Sequence, residues 1–97
     1  MIHRDRKLLE LARGMQCVMC GNEDGTTVAA HSNLLEHGKG RSLKADDCMT
    51  AWLCHRCHTE LDQGSKMSKA ERRDFTLTAI CRTTQELWKR GFVGVTK

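Results

Sequence analysis

Apolar positions along the first half of the chain form short groups that predict one helix and a pair of strands. Leucine and alanine residues near the N-terminus lie at helical spacing and predict a helix over about 4–13 that ends at Gly14. The run 26–30 is β-branched and apolar, which predicts a strand ending at His31. The apolar run 49–53 predicts a second strand, so the two strands together indicate a small sheet.

The second half of the chain predicts two helices. Residues 55–62 predict a short helix, and the motif Ser68-Lys69-Ala70-Glu71 is a capping box that opens a longer helix over about 68–90. Apolar residues recur at spacing four along that helix, with two more beside them: Phe75, Ala79, Thr83 and Leu87, flanked by Ile80 and Trp88. The polar, glycine-containing stretch 32–47 between the strands predicts a long loop with a helical turn at 33–36.

Size and composition limit the chain to one small domain. Its 97 residues are 39% hydrophobic and include no tyrosine, so only a modest core can form. Small domains of this kind commonly add a metal ion or disulfides for stability. We therefore expect an α+β fold in a single domain over residues 1–97, with its core at about 15–64 and a C-terminal helix at about 68–90.

Two Cys-x-x-Cys pairs give the strongest chemical signal: Cys17, Cys20, Cys54 and Cys57. The sequence shows no apolar run of signal-peptide or membrane-spanning length, which favours a cytoplasmic protein whose thiols stay reduced. Four thiolates are the tetrahedral ligand set of structural zinc. A redox motif, an iron–sulfur cluster and unligated thiols are the competing interpretations. We expect the other two cysteines, Cys48 and Cys81, to be small buried hydrophobic residues.

Three further side chains indicate a second, catalytic metal site. Asp62 follows His58 by four residues, so the two share one face of a helix and can bind one metal ion. His31, at the end of the first strand, faces that helix in the predicted packing and has the chemistry of a general base. Each residue also has an ordinary interpretation. His31 would be a structural histidine, His58 would donate a hydrogen bond to a thiolate, and Asp62 would be a solvated carboxylate.

The order of these motifs resembles a known enzyme family. A strand ending at His31, a second strand, Cys54-His55-Arg56-Cys57-His58 and a helix with Asp62 resemble the zinc-containing HNH endonucleases, whose core is a ββα-metal finger. The segments that carry the match are 30–33, 38–40, 44–47, 53–58, 62–64 and 87–91. They are similar to small phage and prophage proteins classed as YbcO-like, HNH-related nucleases, over about Arg13 to Val95.

The resemblance implies a small zinc-stapled, HNH-like ββα-metal domain with flanking N- and C-terminal helices, in the cytoplasm of a bacterial host cell. It implies that His31 is the general base and that His58 binds the catalytic metal, magnesium or manganese. It places Asp62 where such families have a further His, Asn or Asp ligand. The implied reaction is cleavage of a DNA phosphodiester that leaves a 5′-phosphate.

Two positions depart from the family pattern. Ala30 stands where many HNH enzymes have an acidic residue or histidine just before the base. The central asparagine that braces the finger loop is also missing from its usual place, and Asp46, Asp47 or Asn33 are the candidates to support the loop instead.

Basic residues suggest where an anionic partner would bind. The net charge of +4 favours such a partner without identifying nucleic acid. Lys39, Arg41 and Lys44 lie in the long loop and are candidate phosphate contacts, with a solvated loop as the alternative. A second basic cluster opens the last helix, where a solvated helix face is the alternative: Lys66, Lys69, Arg72 and Arg73.

Three function hypotheses follow from the sequence. The leading one is a metal-dependent DNA endonuclease of phage or prophage recombination or DNA processing. The alternative is a non-catalytic zinc module that binds DNA or a recombination protein, and the third is a redox or metal-storage protein. A homodimer or a recombination-protein partner is compatible with the first two, whereas a membrane partner is not expected.

Overall fold

The computed structural model describes residues 3–40 and 43–95 and has the predicted α+β fold. Its elements in chain order are helix α1 (Arg6–Glu10), strand β1 (Val28–His31), a short 3₁₀ helix (Leu35–His37), strand β2 (Thr50–Leu53), helix α2 (His55–Gln63) and helix α3 (Lys69–Lys89). Each observed element lies within a few residues of its predicted span. The 3₁₀ helix occupies the loop in which a helical turn was predicted at 33–36.

The two strands pair antiparallel, with Val28 opposite Leu53 and His31 opposite Thr50. All four residues of β2 are buried, because α2 and α3 pack against this strand. β1 is only partly buried, and α1 packs against it. The sheet thus places His31 at the end of a half-covered strand, beside the long loop that leads to β2.

Helix α3 packs on β2 through a stripe of small side chains, with Thr76, Ala79, Ile80 and Thr83 buried. Thr83 has a specific role, because its Oγ1 accepts a hydrogen bond from the backbone N–H of Trp52 at 2.9 Å and donates one to the Ala79 carbonyl at 2.9 Å. The predicted stripe is correct in its centre. Its C-terminal end differs, since Trp88 is 51% exposed.

Helix α1 is shorter than its predicted span of 4–13. Asp5 caps its first turn by accepting a hydrogen bond from the N–H of Leu8. After Glu10 the backbone hydrogen bonds connect residues three apart, such as the N–H of Ala12 with the carbonyl of Leu9. This is the spacing of a 3₁₀ turn, so the α-helix ends there. The segment ends at Gly14, whose φ of +77° is the left-handed backbone that glycine adopts readily.

The prediction that Cys48 and Cys81 are buried is wrong, because both are exposed. Cys48 lies in the turn that precedes β2. Cys81 lies on α3 about 150° around the helix axis from the centre of the buried stripe, so its side chain faces away from the sheet. Neither cysteine therefore contributes to the core.

We predict that Thr83→Val destabilises the protein by about 1–3 kcal/mol, because valine fills the same volume but leaves the buried N–H of Trp52 without an acceptor. Urea unfolding of the metal-loaded protein measures this loss. Thr84→Val is the matched control on the exposed face of α3 and should change stability by less than about 0.5 kcal/mol. Equal losses for the two variants would contradict the proposed role of Thr83.

Candidate metal centre and active site

Four cysteine side chains converge between the N-terminal turn and the start of α2. The Sγ atoms of Cys17, Cys20, Cys54 and Cys57 all lie within 4.8 Å of one another. Those of Cys20 and Cys54 are 3.6 Å apart. Sulfur ligands on a tetrahedron with metal–sulfur bonds of about 2.3 Å lie about 3.8 Å apart, so the observed spacing fits one zinc ion.

The first cysteine pair lies in a tight turn held by its own backbone. The N–H of Cys17 donates to the carbonyl of Asn22, and the N–H of Gly21 donates to the carbonyl of Cys17, both at 3.0 Å. Gly21 has a φ of +78°, which explains why glycine follows the second cysteine. The turn is attached to the core because the N–H of Val18 donates to the carbonyl of Trp52 at 3.0 Å.

The second cysteine pair spans the junction between β2 and α2. Cys54 is the N-cap residue of α2, and Cys57 lies in its first turn. The Cys54 side chain makes no capping hydrogen bond to the helix. Instead, Oγ1 of Thr26 accepts a hydrogen bond from the backbone N–H of His55 at 2.9 Å. This contact joins the segment before β1 to the start of α2, so both cysteine pairs are held by the same small sheet.

The electrostatics of the cluster favour a bound cation. A backbone hydrogen bond from Asn22 is the largest influence on Cys20 and lowers the pKa of its thiol to about 6. Burial raises the pKa of Cys57, and the three neighbouring thiols add to the rise. Four thiols this close cannot all ionise without a compensating charge. A divalent ion would supply that charge, and Arg56 beside Cys20 adds to it.

His31 forms a close pair with a buried carboxylate. Its Nε2 lies 2.8 Å from Oδ1 of Asp47, whose side chain is only 5% exposed. Burial opposes ionisation of Asp47, but hydrogen bonds from His31 and from the backbone N–H of Asp5 outweigh it and hold the pKa of this carboxyl below its usual value. An ionised carboxylate only accepts hydrogen bonds, so Nε2 of His31 is the donor and the lone pair of the neutral ring lies on Nδ1.

A second histidine–carboxylate pair lies on α2. Nε2 of His58 is 3.0 Å from Oδ2 of Asp62, four residues later on the same face. Asn33, two residues after His31, donates from Nδ2 to the other carboxylate oxygen of Asp62 at 3.0 Å. This bond connects the loop after β1 to the C-terminal half of α2, so the candidate loop-support residue Asn33 contacts the candidate metal ligand.

The structure therefore forms two pairs and does not bring His31, His58 and Asp62 into one compact group. Among the described residues, the four cysteines are the only set of three or more His, Cys, Asp or Glu ligand atoms that all lie within 4.8 Å of one another. His58 and Asp62 by themselves present an imidazole and a carboxylate. Magnesium is commonly held by one or two carboxylates with water and substrate phosphate, so this pair fits a divalent ion that completes its shell from substrate.

Arg4 contacts the candidate site, and sequence reasoning missed it. Its guanidinium lies 3.4 Å from Oδ1 of Asp47 and donates to the carbonyls of Ala45 and Lys44 at 2.8 and 3.0 Å. No local pattern predicts this contact, because Arg4 and Asp47 are 43 residues apart in the chain.

The candidate phosphate contacts occupy different environments. Lys44 is exposed, Lys39 is half-buried, and Arg41 lies outside the described residues. Arg73 forms a two-point ion pair with Glu36, which ties the long loop to α3. Arg72 donates to the carbonyls of Leu61 and Gly64 and so closes the C-terminal end of α2. Two arginines of the second basic cluster are therefore engaged within the protein.

Known families and solved structures include proteins similar to this chain. A family model described as "Putative nuclease YbcO" matches residues 6–92. The chain belongs to this family. The resemblance to YbcO-like proteins is thereby confirmed, and it covers α1 through α3, including both cysteine pairs, His31 and His58.

One solved structure is similar to this member of the YbcO family. It is entitled "Structure of a putative bacteriophage protein from Escherichia coli str. K-12 substr. MG1655" and has a TM-score of 0.62 at 26% sequence identity. The alignment covers 86% of this chain and 98% of the other. No curated protein matches the chain significantly. Among the described residues, no helix has the length and apolar character needed to cross a bilayer.

We predict that the purified protein binds one zinc ion per chain and that Cys54→Ser lowers both zinc content and thermal stability, because serine removes one of four sulfur ligands. Elemental analysis and thermal unfolding with and without a chelator measure the two effects. Cys48→Ser and Cys81→Ser are matched controls at the exposed cysteines and should keep full zinc content. Equal zinc loss in all three variants would contradict the four-sulfur site.

Proposed function

We propose that this protein is a metal-dependent endonuclease that hydrolyses DNA phosphodiester bonds through an HNH-type ββα-metal site, in phage or prophage DNA processing. The observation that carries the proposal is the pairing of His31 with the buried carboxylate of Asp47 at 2.8 Å. In a neutral ring this pairing places the proton on Nε2 and the lone pair on Nδ1. Membership of the YbcO nuclease family supports the same reaction class.

The proposed reaction needs a base, an electrophilic phosphate and a leaving group. Nδ1 of His31 accepts a proton from a water molecule, and the water oxygen forms a new bond to phosphorus. The bond between phosphorus and O3′ breaks, and O3′ takes a proton from a solvent water molecule and leaves as a hydroxyl. His31 then releases its proton to solvent. The products are a 5′-phosphate and a 3′-hydroxyl. Asp47 stabilises the imidazolium that forms on His31, because its carboxylate accepts from the protonated Nε2.

The proposal assigns separate roles to two metal sites. The four cysteines would hold a structural zinc ion, and four sulfur ligands suit a structural rather than a catalytic role. His58 and Asp62 would hold magnesium or manganese, which would stabilise negative charge on the phosphate oxygens and the leaving oxygen. Asn33 contributes by donating a hydrogen bond to Asp62 and so orienting that carboxylate.

DNA is the proposed substrate because the family is one of nucleases and the chain is basic. The long loop that carries Lys39, Arg41 and Lys44 follows His31 directly in the chain. The ion pair between Glu36 and Arg73 holds this loop against α3. Phosphates on either side of the scissile bond would therefore meet basic side chains of the loop.

We expect the purified zinc-loaded protein to nick supercoiled plasmid with magnesium or manganese but not with EDTA. His31→Ala should lower the nicking rate by at least about 100-fold, because general-base catalysis commonly contributes that much. His55→Ala is the matched control, since His55 is an exposed histidine at the start of α2, and it should keep the wild-type rate. Gel separation of supercoiled, nicked and linear forms measures each rate.

The contrary result would favour the alternative function. If the wild-type protein holds zinc, binds DNA and nicks none with either ion, the endonuclease proposal fails. The protein would then be a non-catalytic zinc module that binds DNA or a recombination protein. The lack of activity would be explained by Ala30, which stands directly before His31 where many HNH enzymes have a metal-binding residue. Metal-independent nicking that survives His31→Ala would indicate a contaminating nuclease.

We predict that replacing Lys39 and Lys44 together by glutamine weakens DNA binding and reduces the slope of log K against log salt by about 2, because two phosphate contacts are lost. Fluorescence anisotropy with a labelled duplex at several salt concentrations measures the slope. The matching pair, Lys66→Gln with Lys69→Gln, removes the same charge at the start of α3. A larger effect from that second pair would place DNA across α3 and contradict the loop assignment.

A further inference from the structure

The first described residues of the chain pack against the loop that carries Asp47. Arg4 donates from its two terminal nitrogens to the carbonyls of Ala45 and Lys44 at 2.8 and 3.0 Å. The carbonyl of His3 accepts the N–H of Asp47 at 2.9 Å. These bonds join two segments about 40 residues apart in the chain. His3 and Arg4 themselves lie before residues 6–92, which match the family model.

The same N-terminal segment also contacts the carboxylate of Asp47 itself. The backbone N–H of Asp5 donates to Oδ2 at 2.5 Å, and the guanidinium of Arg4 lies 3.4 Å from Oδ1. Oδ1 is the oxygen that pairs with His31. The N-terminal segment therefore contacts both oxygens of a carboxylate that is almost fully removed from water.

A buried carboxylate without such partners would be costly. Burial disfavours its charge, so it would become protonated or turn towards water. In either case it would no longer be a fixed acceptor for His31. A protonated acid can donate to the ring, which would move the ring proton to the opposite nitrogen.

We propose that Arg4, with the backbone N–H of Asp5, is a positioning group that holds the Asp47 carboxylate in place and thereby fixes His31 with its proton on Nε2. The effect on the ring is independent of the reaction. The catalytic consequence rests on the proposed endonuclease function, in which Nδ1 of His31 must be free to accept a proton.

The geometry requires arginine rather than any cation. The planar guanidinium reaches three carbonyls and the carboxylate at once, because its donors are arranged in a rigid fork. A lysine ammonium keeps the charge but not this fork. Arg4→Lys should therefore retain the fold and still loosen the Asp47 carboxylate.

Nuclear magnetic resonance of ¹⁵N-histidine-labelled, zinc-loaded protein tests the proposal without DNA. At a pH where the ring is neutral, we expect wild-type His31 to carry its proton on Nε2. Asp47→Asn, Arg4→Gln and Arg4→Lys should give a mixture of the two ring tautomers. Arg6→Gln is the matched control, because it removes the same charge from an exposed residue of α1, and it should leave the wild-type tautomer unchanged.

Plasmid nicking tests the catalytic consequence. Arg4→Gln should lower kcat by about tenfold with little change in KM, since partners that orient a catalytic group commonly contribute 10–100-fold. Arg4→Lys should lie between Arg4→Gln and wild type, and Arg6→Gln should keep the wild-type kcat. Zinc content and thermal unfolding of each variant confirm that the fold is retained.

The outcomes test the positioning role of Arg4 and the endonuclease function separately. A wild-type ring with its proton on Nδ1, or an Arg4 variant whose tautomer and kcat match those of Arg6→Gln, would overturn the positioning role. Failure of the wild-type protein to nick DNA would remove the endonuclease function alone. A tautomer shift in the Arg4 variants would then still establish that the N-terminal segment positions Asp47 and His31.

Discussion

The convergence of four sulfur atoms is the constraint on which the rest of the structure depends. Cys17 and Cys20 lie before the sheet, while Cys54 and Cys57 lie where β2 becomes α2, so a metal ion bound by all four fixes the helix relative to the sheet. The buried core is small and rich in alanine and threonine, which limits the stability that apolar burial alone can supply. The sulfur site connects parts of the chain that this core would hold only weakly.

That constraint explains how so short a chain presents two histidine–carboxylate pairs. His58 follows the last cysteine directly, so the sulfur site sets its position together with that of α2. His31 is positioned differently, by the end of β1 and by a carboxylate that the N-terminal segment holds. The hydrogen bond from Asn33 to Asp62 connects the loop after β1 to α2 and so links the segments that carry the two pairs. One small sheet, one helix and the sulfur site thus position both pairs in this member of the YbcO family.

The sequence predicted the features that depend on local spacing. The cysteine pairs, the capping box at Ser68 and both strands follow from residues within a few positions of one another. The contact between Arg4 and Asp47 could not be predicted, because it joins distant segments and each residue alone looks like an ordinary surface charge. The exposure of Cys81 was also missed, since it depends on which side of α3 faces the sheet.

X-ray absorption at the zinc edge of the purified protein tests this account most directly, because it reports the ligand atoms without reference to activity. The account predicts four sulfur ligands at about 2.3 Å and no nitrogen or oxygen ligand. That result would leave His58 free to pair with Asp62, as the proposed second metal site requires. A shell in which a histidine nitrogen replaces a sulfur would contradict the four-sulfur constraint and the separation of the two metal sites that follows from it.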